Sequence, residues 1–109
     1  MAKLGTVSVT GASRQRYELS VYPSADQFKP LGAVLFLAKR IPFAEGEAEY
    51  TWVYVGETND ISRWSDGLPT ACIDAQEANS ICLLMEDDVS RRRSIAADIR
   101  DALKPPCNT

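Results

Sequence analysis

Apolar and polar residues alternate through Tyr17-Glu18-Leu19-Ser20-Val21-Tyr22 as far as Pro23. A period of two is the mark of a strand with one face buried. Beyond a connector at residues 24–30, the pattern becomes an unbroken apolar run, Ala33-Val34-Leu35-Phe36-Leu37-Ala38, stopped by Lys39, Arg40 and Pro42. A run of that length fits a strand covered on both faces. Tyr50-Thr51-Trp52-Val53-Tyr54-Val55 is aromatic and β-branched, which predicts its partner strand. Residues 43–49, with Gly46 and three glutamates, predict an acidic loop at the exposed tip of an antiparallel hairpin. Residues 1–14 are small, polar and basic, and read as a loose arm or a weak first strand.

After Gly56 the period changes. Asp60 is placed to cap a short helix through Ile61-Ser62-Arg63-Trp64, ended by Gly67 and Pro69. Thr70 to Ala78 predicts a second short helix, with Thr70 as N-cap and Cys72, Ile73 and Gln76 on one face. Ile81-Cys82-Leu83-Leu84-Met85 reads as a central strand. The longest helix is predicted over residues 88–103, with Ile95, Ala96, Ile99, Ala102 and Leu103 on one stripe, and Pro105-Pro106 end it. The fold class is α+β, a small domain with helices flanking a central, mostly antiparallel β-sheet.

Composition narrows the chemistry. The chain has 109 residues, 45% apolar and 25% charged, which fits one globular domain. It holds no apolar run near the ~18 residues of a membrane span and no apolar N-terminal stretch, so the expectation is a cytoplasmic protein without a membrane partner. There is no histidine. That removes Ser-His and Cys-His nucleophile pairs and every zinc site that needs imidazole. Cys72, Cys82 and Cys107 are odd in number and lack a Cys-Xaa-Xaa-Cys pair, and read as reduced, partly buried thiols that fill space.

Charge is unevenly spread. Residues 45–90 carry eleven acids against one base, while the flanking segments are net basic and the total is −3. An acidic total disfavours strong nonspecific binding to nucleic acid, but a local basic face forms if the two ends meet. In Arg91-Arg92-Arg93, Asp87 and Asp88 stand four residues before Arg91 and Arg92, the favourable order for ion pairs along a helix. For Arg63 the simplest partner is Asp60 or Asp66, and Trp52 and Trp64 read first as core.

Tyr54-Val55-Gly56-Glu57-Thr58, with Arg63 and Trp64 on the helix that follows, resembles the second half of the GIY-YIG nuclease motif. The first half corresponds to Gly32-Ala33-Val34-Leu35, and Pro105-Pro106-Cys107-Asn108 resembles the Pro-Xaa-Xaa-Asn with which these domains close. The similarity covers residues 32–108. It implies a GIY-YIG-like sheet and a site in which tyrosines lie near the attacking water, an arginine faces the phosphate and a helix glutamate holds a divalent metal.

The chain keeps part of that set. Tyr54 stands at the motif tyrosine, and Arg63 lies one residue closer to it than usual, so that either Arg63 or Trp64 takes the arginine position. Leu35 occupies the place of the first tyrosine in one register, Val34 in the other. Ala96, nine residues before Pro105, occupies that of the metal-holding glutamate. The reading is a degenerate, catalytically inactive member in which Tyr54, Thr58, Arg63 and Trp64 are the candidates for contacting nucleic acid, with no metal or other cofactor. Its expected partners are weakly bound nucleic acid or a protein. Two alternatives stand beside it: a divergent Mg²⁺- or Mn²⁺-dependent DNA endonuclease using Tyr54, Arg63 and a carboxylate from elsewhere, such as Glu57 or Glu86, and a purely protein-interaction domain.

Overall fold

The structure, a computed structural model, describes residues 3–108. Its centre is a five-stranded sheet of β1 (Gly5–Thr10), β2 (Arg16–Pro23), β3 (Ala33–Ala44), β4 (Glu47–Thr58) and β5 (Ser80–Met85), in the spatial order β1-β2-β5-β3-β4. Every pairing is antiparallel. The weak-strand alternative for the N-terminal segment therefore holds from Gly5, and residues 1–2 lie outside the described part. β5, last in sequence, is inserted between β2 and β3, which explains its unbroken apolar run. The six residues Ala33–Ala38 of β3 are all buried, as a strand with neighbours at both edges and cover on both faces requires.

The two faces have separate cores. On one, helix α2 (Val89–Leu103) packs Ile95, Ala96, Ile99 and Leu103 against Val34, Phe36, Val55 and Cys82. On the other, Leu35, Leu37, Ile81 and Leu83 meet Ile61 from a short 3₁₀ turn (Ile61–Arg63), Ile73 from helix α1 (Thr70–Ala75) and Cys107 from a closing 3₁₀ turn (Pro106–Asn108). A bulge lets β4 feed both cores. Leu37 pairs with Tyr54 and Ala38 with Trp52, leaving Val53 extra. Val53 and Val55, two residues apart, consequently join opposite faces.

Several expectations are corrected. Residues 43–49 are not a loop: β3 runs to Ala44 and β4 starts at Glu47, with the turn closed by Gly46 at φ +75°. The glutamates at 47 and 49 sit on the exposed side of a strand whose alternate residues are half-buried. α1 ends at Ala75 rather than Ala78, and Pro69 rather than Thr70 stands at its cap position, without a side-chain cap bond. On α2, Ala102 is exposed, and the inward stripe instead begins at the buried Arg92. Asp88 does not pair with Arg92. It caps α2, its carboxylate accepting from the N–H groups of Ser90 and Arg91. Arg91 pairs with Glu86 (3.0 Å), not Asp87.

The reduced-thiol expectation fails for two cysteines. Cys72 on α1 and Cys107 in the closing turn form a disulfide across 35 residues of sequence, and Cys82 is the free, buried thiol. Sequence spacing carried no sign of it, because the pair meets only after α1 and the chain end dock on the same face of the sheet.

Candidate functional site

The motif residues converge on the C-terminal half of β4. Tyr54 and Gly56 face away from α2, beside Leu35, which pairs with Gly56. The Tyr54 ring lies over Gly56: a Cβ there would stand 2.9 Å from Cε2 and 3.0 Å from the hydroxyl oxygen. This glycine is a steric requirement of the tyrosine's position. Leu35, Tyr54, Gly56, Thr58, Asp60, Arg63 and Trp64 line one cleft of about 250 Å³. The Thr58 hydroxyl accepts from the Asp60 N–H (3.1 Å), and the Asp60 carboxylate accepts from the Ser62 N–H (3.0 Å), which fixes the turn into the 3₁₀ segment. Arg63 is exposed and pairs with Asp66 at 2.9 Å, one of the two partners expected from sequence. Trp64 is half-buried against the Leu35 core, and Trp52 packs on Phe36, ring centroids 4.6 Å apart, so both tryptophans serve packing.

Ala96 lies elsewhere. It packs into the α2-side core, whereas the Tyr54 ring packs into the opposite one. Both residues line a second cleft, about 420 Å³, at the outer edge of β4, lined also by Glu57, Arg93, Ala97, Arg100 and Asn108. The chain end closes this edge. The Asn108 side-chain amide accepts from the Val55 N–H (2.9 Å) and donates to the Val55 C=O (2.8 Å), pairing with the strand edge as another strand would.

Behind the second cleft stands a group the sequence reading missed. Arg92 is buried, its side chain 2% exposed. Its Nε donates to Glu57 (3.0 Å), its Nη1 to the carbonyl oxygens of Glu86 (3.0 Å) and Asp87 (2.9 Å), and its Nη2 to Asn59. A buried guanidinium is tolerable only when its donors are matched in this way. Gly32 makes room for it: a Cβ there would lie 2.4 Å from Nη1 and 2.9 Å from the Glu86 carbonyl oxygen. Helix phase held the missing signal, since 92 shares the stripe of 95, 96 and 99.

Comparison of the chain with known protein families, with curated proteins and with solved structures finds no match.

The two clefts differ in charge. The Arg63 cleft holds Glu57, Asp60 and Asp66 against one arginine, a poor place for a phosphate. The β4-edge cleft holds Arg93 and Arg100, both largely exposed and only loosely paired, Arg93 with Glu57 at 3.6 Å and Arg100 with Asp101 at 4.0 Å. Its one carboxylate, Glu57, is already engaged by two arginines. Among the described residues no three His, Cys, Asp or Glu side chains group as a metal site would need.

Titration is perturbed away from the clefts. Asp98 on α2 is held below the usual carboxylate range, chiefly by the Ser13 hydroxyl (2.6 Å), then by the Tyr17 hydroxyl (2.7 Å) and the Ser13 N–H (2.8 Å). It ties the β1–β2 turn to the helix. Burial, and then the Asp98 hydrogen bond, push Tyr17 up. Burial raises the Cys82 thiol to about 12.

Proposed function

We propose that the chain is a non-catalytic module on a GIY-YIG-like scaffold, whose β4-edge cleft binds the phosphate backbone of nucleic acid through Arg93 and Arg100. The observation that carries the non-catalytic part is the separation of Tyr54 from position 96 onto opposite faces of the sheet. Hydrolysis of a phosphodiester needs a proton acceptor, a positive charge at the phosphoryl oxygens and, in this chemistry, a metal, all within a few ångströms of one phosphorus. Here the tyrosine is on one face, the helix position on the other, and Leu35 fills the first tyrosine's place. The scaffold part rests on β3 pairing with β4 in the expected antiparallel sense, and on the Asn108 clamp at the end of the Pro-Xaa-Xaa-Asn segment.

Binding is weak in this reading, because two loosely paired arginines on a chain of net charge −3 release few counterions. Fluorescence anisotropy with labelled DNA at two salt concentrations tests it. Affinity should fall with salt, and Arg93→Ala with Arg100→Ala should flatten that dependence by about two contacts' worth of slope. Incubation with linear and branched DNA and Mg²⁺ or Mn²⁺ should give no cleavage above background. Ala96→Glu alone should not restore it, since grouped catalytic residues act as a unit. Metal-dependent cleavage by the wild type, abolished by Tyr54→Phe, would establish the endonuclease reading instead.

A further inference from the structure

The chain end does more than stop. Leu103 packs on the α2 face of the sheet, Cys107 on the opposite face, and Asn108 between them on the outer edge of β4. Residues 104–108 thus form a strap around that edge, turned at Lys104 in the left-handed region (φ 45°). The strap is fixed by buried Pro105 and Cys107, by the Asn108 amide pair on Val55 and by the disulfide to Cys72. Asn108 also forms one wall of the β4-edge cleft, beside Arg93 and Arg100. We propose that this strap is a redox latch: reduction of Cys72–Cys107 releases it, uncovers the Val55 edge and widens the cleft that takes the anionic ligand. The ligand half of this proposal rests on the function argued above, while the latch itself does not.

The chemistry balances with an external dithiol. One of its thiolates attacks the Cys72 sulfur, the more accessible of the two because Cys72 is partly exposed and Cys107 buried. The S–S bond breaks, its electron pair goes to the Cys107 sulfur, and that thiolate takes up a proton. The second thiol of the reagent then displaces Cys72, which leaves as a thiol, and the reagent becomes a cyclic disulfide. Two electrons and two protons enter the protein. The strap then keeps its chain connection at Lys104, the Asn108 hydrogen bonds to Val55 and the burial of Pro105 and Cys107, but loses its covalent tie to α1.

The Val55 amide is the reporter, since its N–H points out of the sheet edge onto Asn108. Hydrogen exchange is measured by NMR on the whole chain, oxidised and then reduced with dithiothreitol, with reduction verified by mass after alkylation. Val55 should exchange at least tenfold faster when reduced and with almost no dependence on low urea, the sign of a local opening. Phe36 and Leu83 in the inner strands β3 and β5 should exchange through global opening and keep a steep urea dependence. Asn108→Ala should reproduce the faster Val55 exchange with the disulfide intact. Unchanged Val55 exchange in verified reduced protein overturns the latch. So does Val55 exchange in reduced protein that rises with urea as steeply as that of Phe36 and Leu83, which would mean global opening. In the ligand arm, reduction should increase the anisotropy response of labelled DNA. A Val55 response with no DNA binding in either state would leave the latch standing and overturn the proposed ligand.

Discussion

Replacing Arg92 by alanine should be among the most damaging single changes in this chain. The guanidinium is removed from a site where it satisfies two backbone carbonyls, the Asn59 amide oxygen and the Glu57 carboxylate. Glu57 is 22% exposed and keeps Arg93, so it loses less than a fully buried partner would. The carbonyls of Glu86 and Asp87 lose the donor that fixes the turn into α2. Breaking a buried ion pair from one side costs about 3–5 kcal/mol. Set against about 5–15 kcal/mol for a whole domain, that is a third or more of the stability. Urea unfolding followed by circular dichroism, extrapolated to water, measures it. Arg92→Lys keeps the charge but not the fork that spans four acceptors, and should recover only part of the loss. The decisive control is Gly32→Ala, whose new methyl would overlap Nη1. It should cost about 1–3 kcal/mol by overpacking in the wild type. With the guanidinium gone, two of the three nearest clashes go with it and the Glu86 carbonyl remains, so the same substitution should cost less in the Arg92→Ala background. A cost for Arg92→Ala below about 1 kcal/mol, the range of a surface ion pair, would refute the buried hub. Strict additivity of the two substitutions would refute the contact between Gly32 and Arg92.

Gly56→Ala should displace the Tyr54 ring and alter its near-ultraviolet dichroism with little change in the far-ultraviolet signal, because the new methyl would meet the ring, not the β4 backbone. Asp98, with its folded pKa depressed, stabilises the protein above the ordinary carboxylate range. That stability should be lost as pH falls through its folded pKa, so acid titration of unfolding should flatten in this range for Asp98→Asn. Reducing the disulfide should lower global stability by about 3–4 kcal/mol on the chain-entropy account of a loop this long. In native reduced protein, an alkylating reagent at neutral pH should modify Cys72 and Cys107 while Cys82, buried and with its thiol raised to about 12, reacts only on unfolding.

The strands were legible because burial imposes period two on β2 and continuous apolarity on β3 and β5, whatever the topology. The same alternation runs through Glu47-Ala48-Glu49-Tyr50-Thr51-Trp52, and it marks a strand in the segment that charge alone suggested was a loop. Arg92 was hidden differently. Three consecutive arginines look like a solvated face, and only the helical phase set by Ile95, Ala96 and Ile99 separates the inward one from its neighbours. No local pattern could show the disulfide or Asn108's place on Val55, since both depend on the chain end crossing the edge of β4. Periodicity reports which way a residue faces, and the tertiary path decides what it then meets.

That distinction bears most on β4. Tyr54, Gly56 and Thr58 take one side and Val55 and Glu57 the other, so a motif five residues long divides between two faces. On one side Tyr54 shares its cleft with Asp60, Asp66, one arginine and Leu35. On the other, Glu57 is bound by Arg92 and Arg93, and the exposed, loosely paired arginines of α2 run along the sheet edge. Substituting single residues at positions 35 or 96 does not bring these halves together, because Tyr54 packs into one core and position 96 into the other, although both reach a common cleft at the outer edge of β4. The basic edge cleft, by contrast, needs no rearrangement to meet an anion: Arg93 and Arg100 are exposed, one helix carries both, and the strap held by Cys107 forms the facing wall. In the proposed reading, binding at the edge uses side chains already in position, and the strap is the element whose release would change it.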